Sequence, residues 1–211
     1  MTPLVLIGDL VASRRSSLRQ QLQEQLKQAL DDLNQDRTGL TSPYTITLGD
    51  EFQVVYEQAD RVFADCLAIA AAVYPVRMRF SLSLGEISTE LNPDQALGMD
   101  GPAFYQARDG IDQLKRSGEL FRLAGLNDAE QPLATGGLGL FSHQLNKWNA
   151  NRLHILNRLL QDWRVERIAE ELNISEQAVY KNINSGGLHA VIRLLTALTQ
   201  TLNESMRGRA C

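Results

Sequence analysis

The chain of 211 residues has only two cysteines, Cys66 inside a helical pattern and Cys211 at the very end. Two cysteines so placed make neither a disulfide framework nor a metal-ligand spacing. No apolar run approaches the roughly 18–20 residues that a membrane span needs; Leu67-Ala68-Ile69-Ala70-Ala71-Ala72-Val73 is among the longest. Met1-Thr2-Pro3 lacks a basic flank and leads straight into a strand-like segment, so no signal peptide is expected. Internal repeats and low-complexity tracts are also missing. These absences point to a cytoplasmic protein without a membrane partner. A hydrophobic content of 44% and a charged content of 22% are ordinary for a globular protein and allow one large domain or two small ones, each with a real core. The net charge of −4 is unevenly spread. Residues 143–211 hold 9 Lys+Arg against 6 Asp+Glu, a balance of +3, while residues 1–142 hold 12 against 19, a balance of −7. An acidic body with a mildly basic tail suggests two jobs.

Hydrophobic spacing predicts the elements. Leu4 to Val11 is apolar except at Asp9, which suits a central strand. Leu18, Leu22, Leu26, Leu30 and Leu33 mark an amphipathic helix over about 15–34, capped by Ser16 or Ser17. Tyr44–Thr47 and Phe52–Tyr56 flank Gly49-Asp50, a β-hairpin tip in which Gly supplies positive φ and Asp tolerates turn geometry. Ala59 to Val73 forms a second helical face, stopped by Pro75. Met78, Phe80, Leu82 and Leu84 alternate with Arg79, Ser81 and Ser83 as a half-buried strand. Phe104, Ala107, Ile111 and Leu114 suggest a third helix, and Leu120–Leu123 a last strand. The order β-α-β-β-α-β-α-β predicts an α+β fold: a ferredoxin-like, palm-type sheet with its helices on one face, over residues 1–124. Gly and Pro punctuate residues 125–142, read as a linker. Residues 143–211 read as an all-helical domain, opened by one helix carrying Leu145, Trp148, Leu153, Leu156 and Trp163. Both tryptophans read as core.

Two acids stand out in the first part. Asp9 ends the first strand and Asp50 sits at the hairpin tip, and adjacent strands could bring them together over a divalent cation, Mg²⁺ or Mn²⁺. Such hard cations need only one or two carboxylates when phosphate oxygens and water complete the shell, and two of them can align an attacking hydroxyl with a triphosphate. Glu51 adds a third carboxylate at the same tip. Ser13, Arg14 and Arg15, just after Asp9 and near a helix start, are candidates for phosphate or nucleotide binding, with Arg108 as a further one. Asp9 with Gly49-Asp50, followed by Phe80-Ser81-Leu82-Ser83-Leu84-Gly85-Glu86 and Asp100-Gly101-Pro102-Ala103-Phe104, resembles the palm domains of class III nucleotide cyclases, and the acid pair also resembles that of diguanylate cyclases. That resemblance implies metal ligation by Asp9 and Asp50. It also implies an Asn and an Arg after Gly-Pro-Ala, where this chain has Tyr105 and Asp109, with Arg108 one place early. Over nearly its whole length the chain resembles the SatD family of bacterial proteins, through Ile7-Gly8-Asp9-Leu10-Val11-Ala12-Ser13-Arg14, Leu48-Gly49-Asp50-Glu51-Phe52-Gln53, and Asp100-Gly101-Pro102-Ala103-Phe104 through Ala107-Arg108. The resemblance implies a regulatory role.

In the second part, Arg164 to Asn184 reads as two short helices about a tight turn. Ala169, Asn173 and Val179 stand where the helix-turn-helix of transcriptional regulators has its small, turn and β-branched residues, and the segment resembles that motif. Ser175 caps the second helix. By the resemblance, Ser175, Glu176, Gln177, Tyr180, Lys181 and Asn182 would face duplex DNA. A homodimer is expected, paired through the apolar face of Leu188–Leu202. The leading expectation is therefore a DNA-binding regulator whose palm senses a metal and a nucleotide or other phosphate ligand. A metal-dependent nucleotide cyclase or nucleotidyl-transfer enzyme is the first alternative, and a non-catalytic assembly module the second.

Overall fold

A computed structural model describes residues 1–11 and 19–208. Five strands and eight helices follow one another: β1 (Leu4–Leu10), α1 (Arg19–Leu33), β2 (Leu40–Ile46), β3 (Glu51–Tyr56), α2 (Val62–Ala72), β4 (Met78–Leu84), α3 (Pro102–Ser117), β5 (Phe121–Ala124), then α4 (Glu130–Leu145), α5 (Ala150–Leu160), α6 (Val165–Leu172), α7 (Glu176–Gly186) and α8 (Leu188–Arg207). Up to β5 this is the expected order. The fold is α+β, built on a mixed sheet ordered β2-β3-β1-β4-β5. β1 runs antiparallel to both β3 and β4, and only β5 lies parallel to its neighbour β4.

β1 is apolar nearly throughout because both its faces are covered. Side chains alternate across a strand, so Leu4, Leu6 and Leu10 point one way and Val5 and Ile7 the other. The first set packs with Leu22, Leu26 and Leu30 of α1 and Phe63, Cys66 and Leu67 of α2. The second packs with Val55 and with Ala103, Ala107, Ile111 and Leu114 of α3. Helices on one face were expected, but α3 crosses the other. The reason lies in the connection: β4 and β5 are parallel, and parallel neighbours need a crossover, which α3 provides. Gly110 lets it lie close, since a Cβ there would come 2.0 Å from Ser81 Oγ. At Gly8 a Cβ would strike the Phe52 ring at 2.3 Å, so glycine is what allows that ring its place in the core. Burying a side chain such as Phe52 or Phe80 is worth about 1.5–3 kcal/mol.

The stretch 125–142, read as a linker, is mostly helix α4. Three glycines weaken it locally, but its inner face buries Ala134, Leu138, Phe141 and Leu145. Phe141 meets Phe121 of β5 at a centroid distance of 5.3 Å and Trp148 at 6.0 Å. Tertiary packing thus overrides propensity. The single helix expected from Leu145 to Trp163 breaks at Asn149, whose side chain caps α5 by accepting from Arg152 N–H at 3.0 Å. Helices α4–α8 do not form a separate core: Leu138, Trp148, Leu156, Ile183 and Leu202 belong to the same buried cluster as the sheet. Asn157 Nδ2 donates to Ala64 C=O at 2.5 Å, and Asn203 accepts from Ala59 N–H at 2.8 Å, which ties α5 and α8 to α2 and its lead-in. The apolar face of α8, expected to pair two subunits, is spent here: Leu188, Leu195, Leu198 and Leu202 are buried in the chain's own core, with Val191 and Ile192 packed against it.

Candidate functional site

Backbone register brings the candidate acids to one end of the sheet. Asp9 near the end of β1 faces Glu51 across β3 on one side and Arg79 across β4 on the other. Period-two alternation puts all three on the α3 face, in one row. Gly49, at φ 52°, makes the hairpin tip in the left-handed region, as the sequence predicted. Asp50 follows it, and its carbonyl accepts from Leu10 N–H at 3.0 Å. The two acids chosen from the sequence therefore do lie at the same sheet end, but the acid that shares a row with Asp9 is Glu51.

That row is charge-balanced by the chain itself. Asp9 Oδ2 accepts from Arg79 Nη1 at 2.9 Å, and its Oδ1 lies 3.6 Å from Lys115 Nζ of α3. Glu51 Oε1 accepts from Thr47 Oγ1 at 2.7 Å, and its Oε2 pairs with Arg108 of α3. Arg108 and Lys115 stand seven residues apart, two turns of one helix face, so α3 places two cations above two acids. Asp9 and Glu51 are 8% and 5% exposed, while the side chains of Arg108 and Lys115 are 43% and 45% exposed. Three cations meet two acids, and two of the cations face solvent.

Asp9 is a poor ligand for a resident divalent ion, since Arg79 and Lys115 already face its carboxylate. Three of the four oxygens of the buried pair Asp9 and Glu51 accept from Arg79, Thr47 and Arg108, the fourth lies 3.6 Å from Lys115 Nζ, and among the described residues no three His, Cys, Asp or Glu side chains gather. Arg108 was expected to bind phosphate and is found pairing with Glu51. The other phosphate candidates, Ser13, Arg14 and Arg15, lie outside the described residues, as do the predicted caps Ser16 and Ser17. The entry to α3 is as read, with Gly101 at the N-cap and Pro102 in the first turn. Tyr105, at the place implied for an Asn, donates to Asp100 Oδ2 at 2.7 Å.

Sequence reading missed Arg79 and Lys115. Arg79 is the sole charge in Met78–Leu84, a signal that it lines the polar face of its strand, but only the register shows that Asp9 is opposite. Lys115 carried a helical signal, its spacing from Arg108, with no indication of what lay beneath.

Helices α6 and α7 form the expected tight helical pair. Asn173 takes the left-handed conformation at φ 50°, Ser175 accepts from Ala178 N–H at 3.2 Å, and Ala169 and Val179 are buried. Glu176, Gln177, Tyr180 and Lys181 are exposed. Asn182 is not on that surface: it accepts from Arg152 Nε at 3.3 Å and donates to Ala178 C=O at 2.9 Å, so it faces α5. Ser175 is likewise occupied as a cap. Trp148 is core, as read, whereas Trp163 is half-buried and meets two guanidinium groups, Arg167 at 3.4 Å and Arg158 at 4.6 Å from its ring centre. No helix is long and apolar enough to cross a membrane among the described residues.

At the other end of the sheet a cleft of about 390 Å³ is lined by Leu33, Asp36, Arg61, Asp65 and Gln161 among others. Its floor is a closed polar network. Asp65 Oδ2 accepts from Tyr44 Oη at 2.7 Å, Tyr56 Oη at 3.2 Å and Arg61 Nε at 2.8 Å. Arg61 also donates to the carbonyls of Leu33 and Asp36, fastening the C-terminal end of α1. Burial pushes the Asp65 carboxyl above its usual range, with Arg61 and the two hydroxyls opposing the shift. Burial and the nearby acid hold both phenols protonated.

Residues 3–202 match the family model described as SatD family, and the chain belongs to that family. No curated protein matches it in sequence. Among solved structures it is similar to a bacterial light-regulated adenylyl cyclase, at 14% identity over 58% of this chain and 74% of that one, TM-score 0.44. It is similar also to the guanylate cyclase domain of RhGC from Catenaria anguillulae in complex with GTP, at 18% identity over 51% and 70% of the two chains, TM-score 0.37.

Proposed function

We propose, with membership of the SatD family as the premise, that this protein is a regulator that binds a phosphorylated small ligand, nucleotides being the first class to test, at the Asp9–Glu51 end of its sheet. The observation that carries the reading is the charge of that row: Arg79, Arg108 and Lys115 against Asp9 and Glu51, with Arg108 and Lys115 both part-exposed. Part-exposed cations on a strand-and-helix frame suit a phosphate better than they suit a metal ion, because guanidinium and ammonium groups make charge-assisted hydrogen bonds to phosphate oxygens. Turnover is not favoured. Tyr105 is bonded to Asp100, and Asp109 brings a negative charge where the cyclase resemblance implies a positive one. Calorimetry with a nucleotide panel, with and without Mn²⁺, tests binding, and product analysis after incubation with NTPs tests turnover. Saturable heat without product is expected; no heat with any nucleotide removes the reading, and product formation replaces it with the enzymatic one.

A second reading, DNA binding through α7, draws on the left-handed turn at Asn173 and the exposed row Glu176, Gln177, Tyr180 and Lys181. Charge opposes it locally. Residues 164–186 hold three Lys+Arg (Arg164, Arg167, Lys181) against four Glu (166, 170, 171, 176), a balance of −1, and non-specific affinity comes from phosphate contacts. Retention of any duplex at low salt, lost in Lys181→Ala, would support it; no retention removes it.

A further inference from the structure

We propose that the counter-cation of Asp9 is part of the protein. The Arg79 guanidinium, seconded by the Lys115 ammonium, takes the position against Asp9 that a divalent ion would have to occupy, so a phosphorylated ligand binds at this sheet end without a metal. The ligand half rests on the reading above; the exclusion of metal does not.

The contact between Arg79 and Asp9 is imposed by the backbone. The two residues are register partners on adjacent strands, so the guanidinium cannot leave without breaking the pairing of β1 with β4 or unfolding its own side chain into solvent. Its Nη1 lies 2.9 Å from Oδ2, and both side chains are largely buried, 14% and 11% exposed. Arginine stays charged at any working pH. The second oxygen of Asp9 faces Lys115, so an incoming cation meets two resident positive charges, that of Arg79 being largely buried. Glu51, the nearest acid in the row, is itself already paired, with Thr47 donating to one oxygen and Arg108 to the other. A hard cation sheds water reluctantly and needs oxygen ligands to replace it; here three of the four oxygens already accept a hydrogen bond and the fourth faces Lys115. The Nε of Arg79 is buried and has no hydrogen-bond partner.

The test uses the full chain and Mn²⁺ alone, followed by the loss of the free aqua-ion signal in electron paramagnetic resonance. Wild type and Asp9→Asn are expected to leave the signal alike. Arg79→Met, with its fold checked by circular dichroism, should gain at least about tenfold in Mn²⁺ affinity, and adding Asp9→Asn to it should abolish the gain. Two results overturn the proposal: a Mn²⁺ site in the wild type that Asp9→Asn destroys, or a folded Arg79→Met that gains nothing. Should Arg79→Met fail to fold, Lys115→Met takes its place with a smaller gain of about threefold expected, and no gain there overturns it equally. Nucleotide calorimetry in EDTA and in Mg²⁺ separates the two readings. Equal heats support metal-free binding, heat only with Mg²⁺ overturns it, and no heat in either removes the ligand while the Mn²⁺ result stands.

Discussion

Two polar networks lie at opposite ends and on opposite faces of the same sheet, and they are built to different plans. Around Asp65, one carboxylate oxygen accepts from two tyrosines and an arginine, and the acid is only 4% exposed. Its donors come from β2, β3 and Arg61 just before α2, and Arg61 reaches on to the end of α1, so the network joins four elements. Around Asp9, two acids are matched by three cations, and the outer two, Arg108 and Lys115, keep nearly half their side-chain surface in water. The first is sealed and spends every donor on the fold. The second holds part-exposed cations at an accessible edge. Burial with full satisfaction marks a structural network, and partial exposure with an unbalanced charge marks a binding one.

The comparison can be broken most readily at Asp65. Asp65→Ala leaves two buried hydroxyls and a guanidinium without their acceptor, and we expect a loss of about 3–5 kcal/mol in urea denaturation with nucleotide affinity unchanged. A loss below about 1 kcal/mol would mean the network is not a staple. Asp9→Asn strips Arg79 of its charged partner in a less buried place, and about 2 kcal/mol is expected from the same measurement. Lys115→Ala should separate fold from site. Asp9 keeps Arg79, so stability should move by less than about 0.5 kcal/mol, while calorimetric affinity for the phosphorylated ligand should fall about tenfold. Unchanged affinity would remove Lys115 from the site.

The smallest effect concerns pH. Burial raises the folded-state pKa of Asp65 above its unfolded value, so the folded state holds the proton more tightly. Its contribution is fully present below the unfolded carboxylate value and is lost as pH rises through the raised folded one. Wild type minus Asp65→Asn, compared as denaturation free energy across that window, should therefore decline with rising pH. A rise would reverse the assignment of burial as the dominant cause.

Much of the first half was legible because it is local. The Gly49-Asp50 turn, the alternation of Met78–Leu84 and the Gly101-Pro102 entry to α3 are each written in a few neighbouring residues, and each stands where the sequence placed it. The glycine-rich segment around Gly136 misled for the same reason: its neighbours read as a linker, while Phe141 and Leu138 had partners on β5 and in the distant helices. Asn182 looked exposed by helical position, but Arg152 lies thirty residues away in sequence.

By itself, the sequence determined the order of strands and helices, the turn that carries Asp50 and the apolar faces that make the core, since period, turn chemistry and capping act over a few residues. Tertiary structure alone decided which face α3 covers, that α4–α8 share the sheet's core, and that Arg79 and Glu51 flank Asp9. Strand order and register are non-local, and a slip of one residue would turn every side chain in the row to the other face. In that row Asp9 stands against Arg79 and Lys115, and Glu51 against Thr47 and Arg108.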